Sequence, residues 1–307
     1  MISFYKTGDD GLTSIETPEN GCWISVTAPT QEEIDRIITE FQLDAGFVRS
    51  SLDEEESSRI ETEEDQTLII VDYAVAETDN QNAISYYTMP MGIILTPDYV
   101  FTISLRENII IREMCGGQIR NLRTQLKTQF VLNILLRIAM KFLAYLKQID
   151  KLTNFTEKQL QKSMKNKELI QMLDLQKSLV YFSTSLKSNE VTLEKILRGR
   201  IIKLYEDDQD LLEDVLTEVK QAIEMAGIYS SILSGMTDTF ASVISNNLNI
   251  VMKRLTVITI LMAIPTIVFS FYGMNVPDLP MCYTWFAVGL SVAATLGTWF
   301  MLKKTEK

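Results

Sequence analysis

Hydrophobic positions change their rhythm along this chain, and the last change is the sharpest. From Leu255 to Phe271 seventeen consecutive residues carry no charge, and a second uncharged run extends from Met281 to Leu302. A hydrocarbon core of about 30 Å takes about 20 helical residues, so each run can span a bilayer with modest tilt. A short Pro-containing loop separates them, and the pair reads as a membrane hairpin rather than as helices buried in a soluble core. Pro265 falls inside the first run, where it deletes one backbone hydrogen bond, strands the Leu261 carbonyl and predicts a bend. In the second run Gly289, Ala293 and Gly297 recur every four residues and are expected to form a close-packing face, with Trp285 and Trp299 as interfacial anchors.

The polar residues of the first run follow one line. Between Leu255 and Phe271 the only polar side chains are Thr256, Thr259, Thr266 and Ser270. Alternating steps of three and four join them to Asp238, Ser242, Ser245, Asn249, Met252 and Ala263, so a single helical face carries the whole set. Hydroxyls in a span also bond carbonyls of their own helix or sit at helix contacts. What favours a path for ions is the continuity of the seam from an acid, through an amide and a thioether, into the bilayer. One stripe cannot enclose water alone, so this reading demands several copies of the helix around an axis. Met252 is expected to form a narrow apolar ring there, of the kind that gates by dewetting; packing between helices is the plainer alternative.

Upstream the period is that of packed helices. Gly and Pro nearly vanish after Glu107, and helices are expected over Gln118 to Lys167, Lys167 to Gly199 and from about Glu206 onward. In the last, Leu212, Leu216, Val219, Ile223, Ala226, Ser230, Leu233, Thr237, Phe240 and Ile244 alternate at four and three, a mostly apolar stripe. No breaker intervenes before Pro265, so one helix of about 100 Å is expected at 1.5 Å per residue.

The first third alternates instead. Strands are expected around Phe4, Ile15, Trp23 to Val26, Leu68 to Ala76, Ile84 to Leu95 and Tyr99 to Leu105, and Thr30 with Glu33 forms a capping box that opens a helix through Ile37 to Phe41. The fold class that results is an α/β N-terminal cytosolic domain plus a long helical stalk and a C-terminal two-helix transmembrane hairpin. Its segments are the α/β domain 1–106, a helical stalk-packing region 107–205, the stalk helix 206–254, a first span 255–272, an external loop 273–281, a second span 282–302 and a basic tail 303–307.

Charge sets the orientation and narrows the chemistry. Lys253 and Arg254 precede the first span and Lys303, Lys304 and Lys307 follow the second, while the connecting loop has no basic residue, which places both termini in the cytoplasm of a cell-membrane protein. A leader is not expected, because residues 1–6 lack an apolar core segment. The 307 residues carry a net charge of −11, which repels nucleic acid and suits cation handling. There is no His, and Cys22, Cys115 and Cys282 are too far apart for a metal cluster of standard spacing, so they are expected as reduced structural thiols. The acid-rich stretches at 53–56 and 61–65 read as solvated charge. No phosphate-binding loop, nucleophile elbow or triad occurs, so neither an enzyme nor an ATP-driven pump is expected, and no organic cofactor.

Tyr272-Gly273-Met274-Asn275, ending the first of two C-terminal spans, resembles the signature of the CorA family of divalent-cation (magnesium) transporters. The likeness continues upstream through Ser245-Asn246-Asn247-Leu248-Asn249, Val251-Met252-Lys253 and Leu255-Thr256, and more faintly at Arg59-Ile60-Glu61. It implies a homopentamer in the lipid bilayer that passes Mg2+, with Co2+, Ni2+ or Zn2+ as other cargoes. It also implies a selectivity filter at Gly273, Met274 and Asn275, pore-lining positions at Asn249, Met252, Thr256, Thr259, Ala263, Thr266 and Ser270, and Mg2+ as a regulatory ion. Asp214 matches by position a stalk aspartate that the family uses for Mg2+ sensing, and Asp238 lies on the seam at the cytosolic mouth; Asp72, Glu77 and Asp79 are candidate partner acids. One departure concerns the loop: many members carry Pro-Glu after the motif, whereas this chain has Pro280-Met281, leaving Asp278 the only acid there. Gly273 is expected to permit a tight turn. The competing expectations are a zinc-type relative, from which Met274 argues away, and a non-conducting membrane-anchored coiled-coil scaffold or sensor, which does not account for the seam.

Overall fold

Helix α1 (Gln31–Phe41) starts where the sequence places it. Glu33 N–H donates to Thr30 Oγ1 at 3.3 Å and Thr30 N–H donates back to the Glu33 carboxylate at 2.9 Å, so two of the helix's orphan donors are satisfied reciprocally. The computed structural model describes residues 1–8, 11–78, 84–116, 122–162, 166–199, 202, 204–275, 281 and 283–305. They form two units, Met1–Thr237 and Asp238–Lys307.

In the first unit seven strands, β1 (Ile2–Gly8), β2 (Gly11–Ile15), β3 (Trp23–Thr27), β4 (Arg59–Glu63), β5 (Gln66–Thr78), β6 (Ile84–Leu95) and β7 (Val100–Ser104), make one sheet in the order β2-β1-β3-β7-β6-β5-β4. All neighbours are antiparallel except β3 and β7. Alternation decides the faces. Ile24, Val26, Phe101, Ile103, Leu68 and Ile94 turn one way and bury against α1 and α2 (Ala45–Ser50). Trp23 turns the other way, its indole N–H donating to Thr102 Oγ1 at 2.9 Å and its ring 5.3 Å from Phe130 on α4 (Lys127–Lys162). α5 (Asn166–Gly199) packs beside α4, with Phe142 and Phe182 edge to face at 5.0 Å. Truncating either ring to Ala is expected to cost about 3–5 kcal/mol.

Four elements differ from the sequence expectation. α2 and α3 (Ile109–Cys115) are too short for periodicity to reveal, and β4 is a charged edge strand whose alternation is weak. The helix expected from Gln118 begins at Lys127. Residues 117–121 lie outside the description, but 122–125 give their polar groups to β1 instead: Thr7 Oγ1 donates to Leu122 O at 2.8 Å, Thr124 N–H donates to Thr7 Oγ1 at 3.1 Å and Gln125 Nε2 donates to Thr7 O at 2.7 Å. Tertiary partners outbid helix propensity here.

α6 (Glu206–Tyr272) is one helix of 67 residues with Pro265 inside it. In the first unit its stripe of Leu212, Val215, Leu216, Val219, Ala222, Ala226 and Leu233 is buried. Three described helices, α4, α6 and α7 (Thr284–Thr305), are long and apolar enough to cross a membrane. The apolar part of α4 is mostly covered inside its unit, whereas those of α6 and α7 lie bare, so only the latter two have apolar surface left for lipid.

Candidate functional site

The second unit is built from the last part of α6 and α7, and side-chain burial gives its geometry. On α6 the half-buried residues of the span are Val257, Leu261, Ile264, Pro265, Val268 and Tyr272, while Thr256, Thr259, Ala263, Thr266 and Ser270 are all exposed. Apart from Pro265, the covered set steps by four and three, as the seam does. At about 100° per residue the two stripes point about 160° apart. α7 therefore covers one side of α6 and the polar seam lies on the opposite, open side.

On α7 the fully buried positions are Ala287 and Ser291, 6% and 3% exposed, with Ala294, Thr295 and Thr298 half-buried on the same face. Tyr272 meets Phe286 edge to face at 6.5 Å, and a recess of about 300 Å³ lies among Phe269, Tyr272, Gly273, Tyr283, Thr284 and Ala287. The Gly289, Ala293 and Gly297 stripe, expected to be the close-packing face, points away: no atom comes within 4 Å of a Cβ built at either glycine, and Ala293 is exposed. The small residues on the covered face of α7 are Ala287 and Ser291 instead. α7 thus has its own hydroxyl stripe, Ser291, Thr295 and Thr298, but that stripe is packed while the α6 seam is open. The same residue types at the same spacing serve two ends, and only burial separates them.

Within the seam each threonine keeps its proton. Thr256, Thr259 and Thr266 donate to the carbonyls of Met252, Leu255 and Met262, all at 2.9 Å, and Ser242 donates to Asp238 O at 3.0 Å. These four-residue back-bonds are the local contacts a hydroxyl in a helix finds, and they leave its oxygen lone pairs as the remaining polar feature. Met252 is 52% exposed and Asn249 is exposed on the same open side.

At the end of α6, Gly273 N–H donates to Phe269 O at 2.9 Å and Met274 N–H to Phe271 O at 3.4 Å; Gly273, Met274 and Asn275 are exposed. The chain turns at Gly273 without a left-handed backbone there. Its requirement is room: a Cβ there would stand 3.1 Å from the Phe269 carbonyl oxygen. Residues 276–280, with Pro277, Asp278 and Pro280, lie outside the described part.

The acids do not converge within one chain. Asp214, in the first unit, and Asp238, at the start of the second, are both exposed. Among the described residues no group of three or more His, Cys, Asp or Glu is placed to hold a metal. Of the partner acids, Glu77 is exposed and accepts from Tyr87 O–H at 3.0 Å. Asp72 is half-buried, with burial raising its carboxyl above the usual range and a Ser185 hydrogen bond opposing that; Asp79 is outside the description. Three of the acids at 53–65 pair with arginines: Arg59 bridges Glu56 at 2.5 Å and Glu61 at 3.2 Å, and Arg106 bridges Glu54 at 3.2 Å.

Residues 18–304 match the family described as CorA-like Mg2+ transporter protein. The chain belongs to this family. The cobalt/magnesium transport protein CorA of Methanocaldococcus jannaschii is 26% identical over 268 residues, 84% of this chain and 81% of that one. The complete structure of the M. jannaschii CorA magnesium transporter superposes with a TM-score of 0.81 at 22% identity, over 99% of this chain and 96% of the other. The ZntB cytoplasmic domain of Vibrio parahaemolyticus superposes with a TM-score of 0.59 at 12% identity, over 80% and 97%. The two structural likenesses are likenesses of fold. As a CorA-family member the chain is a divalent-cation transporter with apolar membrane helices.

Proposed function

We propose that this chain assembles as a homo-oligomer, a pentamer by analogy with its family, in the cell membrane with both termini cytoplasmic, and passes Mg2+ along an axis lined by the α6 seam. The observation that carries this reading is the open seam opposite the face that α7 covers. Several copies arranged with α7 outward bring Asn249, Met252, Thr256, Thr259, Ala263, Thr266 and Ser270 to one axis, whereas a monomer would set those oxygens against lipid. Mg2+ sheds its waters reluctantly, so a mouth of Asn275 amides and backbone carbonyls at Gly273 and Met274 suits the hydrated ion. Met252 forms the apolar constriction. The membrane potential suffices as driving force: two charges gain about 4.6 kcal/mol per 100 mV, on the order of a thousandfold accumulation.

In this reading cytosolic Mg2+ also regulates. Asp214, and with it Asp238, meet acids of neighbouring copies, and a bridging divalent ion relieves their repulsion and holds the closed bundle. Purified protein in vesicles loaded with a Mg2+ dye tests the function. Potential-driven uptake above empty vesicles is expected; no uptake by a folded oligomer would favour a membrane-anchored scaffold.

A further inference from the structure

Five aromatic rings join the end of α6 to the start of α7 in one chain of contacts. Phe271 meets Tyr272 edge to face at 5.5 Å, Tyr272 meets Phe286 edge to face at 6.5 Å, Phe286 meets Trp285 edge to face at 6.1 Å, and Trp285 stacks with Tyr283 at 6.2 Å. Tyr272 and Phe286 are half-buried and the other three are exposed; among the described residues that pair alone carries a ring contact from one helix to the other. Phe286 is itself fixed in the first turn of α7, where its N–H donates to Tyr283 O at 2.9 Å. On the α6 side, Tyr272 immediately precedes the exposed turn. Gly273 and Met274 hang from α6 by two backbone hydrogen bonds, to Phe269 O at 2.9 Å and to Phe271 O at 3.4 Å, and the second is long. Among the described residues no side-chain hydrogen bond or ion pair holds Met274 or Asn275. The stretch from Leu255 to Asn275 carries no charge either, so ring packing is what keeps this turn in register with α7.

We propose that Phe286 is a positioning residue for cation entry: acting through Tyr272, it holds the Gly273 to Asn275 turn in the geometry that receives the hydrated ion. The proposal rests on the reading of that turn as the cation mouth. An edge-to-face pair favours its arrangement by about 2- to 10-fold beyond the area it buries. Loosening the pair leaves the amide and carbonyl oxygens present but aligned for a smaller fraction of the time, and apparent affinity falls by that fraction. Passage of an ion already taken up does not depend on Phe286, which packs on the side of α6 away from the seam. The residue therefore bears on half-saturation and not on maximal flux. Leucine in its place fills part of the space but offers Tyr272 no ring.

Hydrogen exchange of the purified oligomer, read by mass spectrometry over the end of α6, tests the hold without reference to transport. Phe286→Leu is expected to speed exchange at the Gly273 and Met274 amides by about 2- to 10-fold, and Phe286→Tyr, which keeps the ring, to match the parent. In vesicles Phe286→Leu should raise the Mg2+ concentration for half-maximal uptake by a similar factor while the maximal rate stays within about twofold, and Phe286→Tyr should again match the parent. If Phe286→Leu does not assemble, Trp285→Leu removes the exposed ring beside Phe286 and should shift both readings the same way. Exchange unchanged in the variant that assembles, or changed equally by leucine and tyrosine at Phe286, would overturn the role of the ring. Faster exchange with an unchanged half-saturation would overturn its bearing on entry. A parent that takes up no Mg2+ fails the functional reading, recognisably so, because the exchange rates still show whether Phe286 holds the turn.

Discussion

The side-chain amide of Asn189 takes the place of a β-strand for Asp72: its Nδ2 donates to Asp72 O at 2.8 Å and its Oδ1 accepts from Asp72 N–H at 2.9 Å. β4 pairs with β5 only as far as Arg59 opposite Ile70, so beyond that register the β5 edge has no strand beside it. On the other side Asp72 stands opposite Pro90, which has no N–H to give. Asn189 is 3% exposed, and Ser58 Oγ also donates to its Oδ1 at 2.8 Å. Asn189→Leu orphans a donor and an acceptor at once and is expected to lower stability by about 2–6 kcal/mol, read as a fall in the unfolding midpoint of the purified protein.

Asp72 itself works against the fold at neutral pH. Burial raises its carboxyl pKa above the unfolded value, so the folded state holds the proton more tightly. The stabilisation this gives is complete below the unfolded pKa and is lost as pH rises through the folded one. Asp72→Asn, which keeps an acceptor for Ser185, should therefore equal or exceed the parent in thermal stability at pH 7 and lose that advantage toward pH 4. A parent curve that rises between those limits as steeply as the variant's would contradict the assignment.

Accessibility separates the two hydroxyl stripes. Single cysteines at Thr256, Thr259, Thr266 and Ser270 should react with water-soluble thiol reagents in an open state, and cysteines at Ser291, Thr295 and Thr298 should not. Labelling at Ile258 or Ile267 in preference to the threonines would mean that the helix is rotated from the position assigned to it.

Asn275→Ala should abolish Mg2+ uptake while the oligomer still elutes at the parent's position in size-exclusion chromatography. Gly273→Ala tests a different requirement, the space before the Phe269 carbonyl, and should disturb the mouth through the backbone even though alanine tolerates the local dihedrals. Undiminished flux in Asn275→Ala would remove that amide from the site.

Asp214→Lys should mimic the bridging cation. Currents recorded against rising cytosolic Mg2+ are expected to be small throughout or insensitive to it. Inhibition matching the parent would exclude Asp214 as the sensor.

How much the sequence disclosed depended on the length of the signal. The long apolar runs, the capping box at Thr30 and the β-branched strands were legible because each rests on a pattern that local sterics enforce. α2, α3 and β4 were not, since five to seven residues carry too little periodicity. The seam was legible as a line, but its openness was not: the burial of Ser291 shows that an identical stripe can face a packed neighbour. Within the chain the glycine stripe faces away from α6, because small residues mark where backbones can approach and not where they do. Asn189 gave no signal at all, for its partner is a backbone more than a hundred residues away in the chain.

The back-bonded threonines give the α6 seam a polarity. With the Thr256, Thr259 and Thr266 hydroxyl protons committed to carbonyls, what these side chains turn outward is electron density. A hydrated cation on the proposed path would meet acceptors for the protons of its water shell at each of these levels. Chloride, whose shell turns its oxygens outward, would need donors there and would find them already engaged. On the proposed path, discrimination by sign would then need neither a charged residue within the span nor a carboxylate to enforce it.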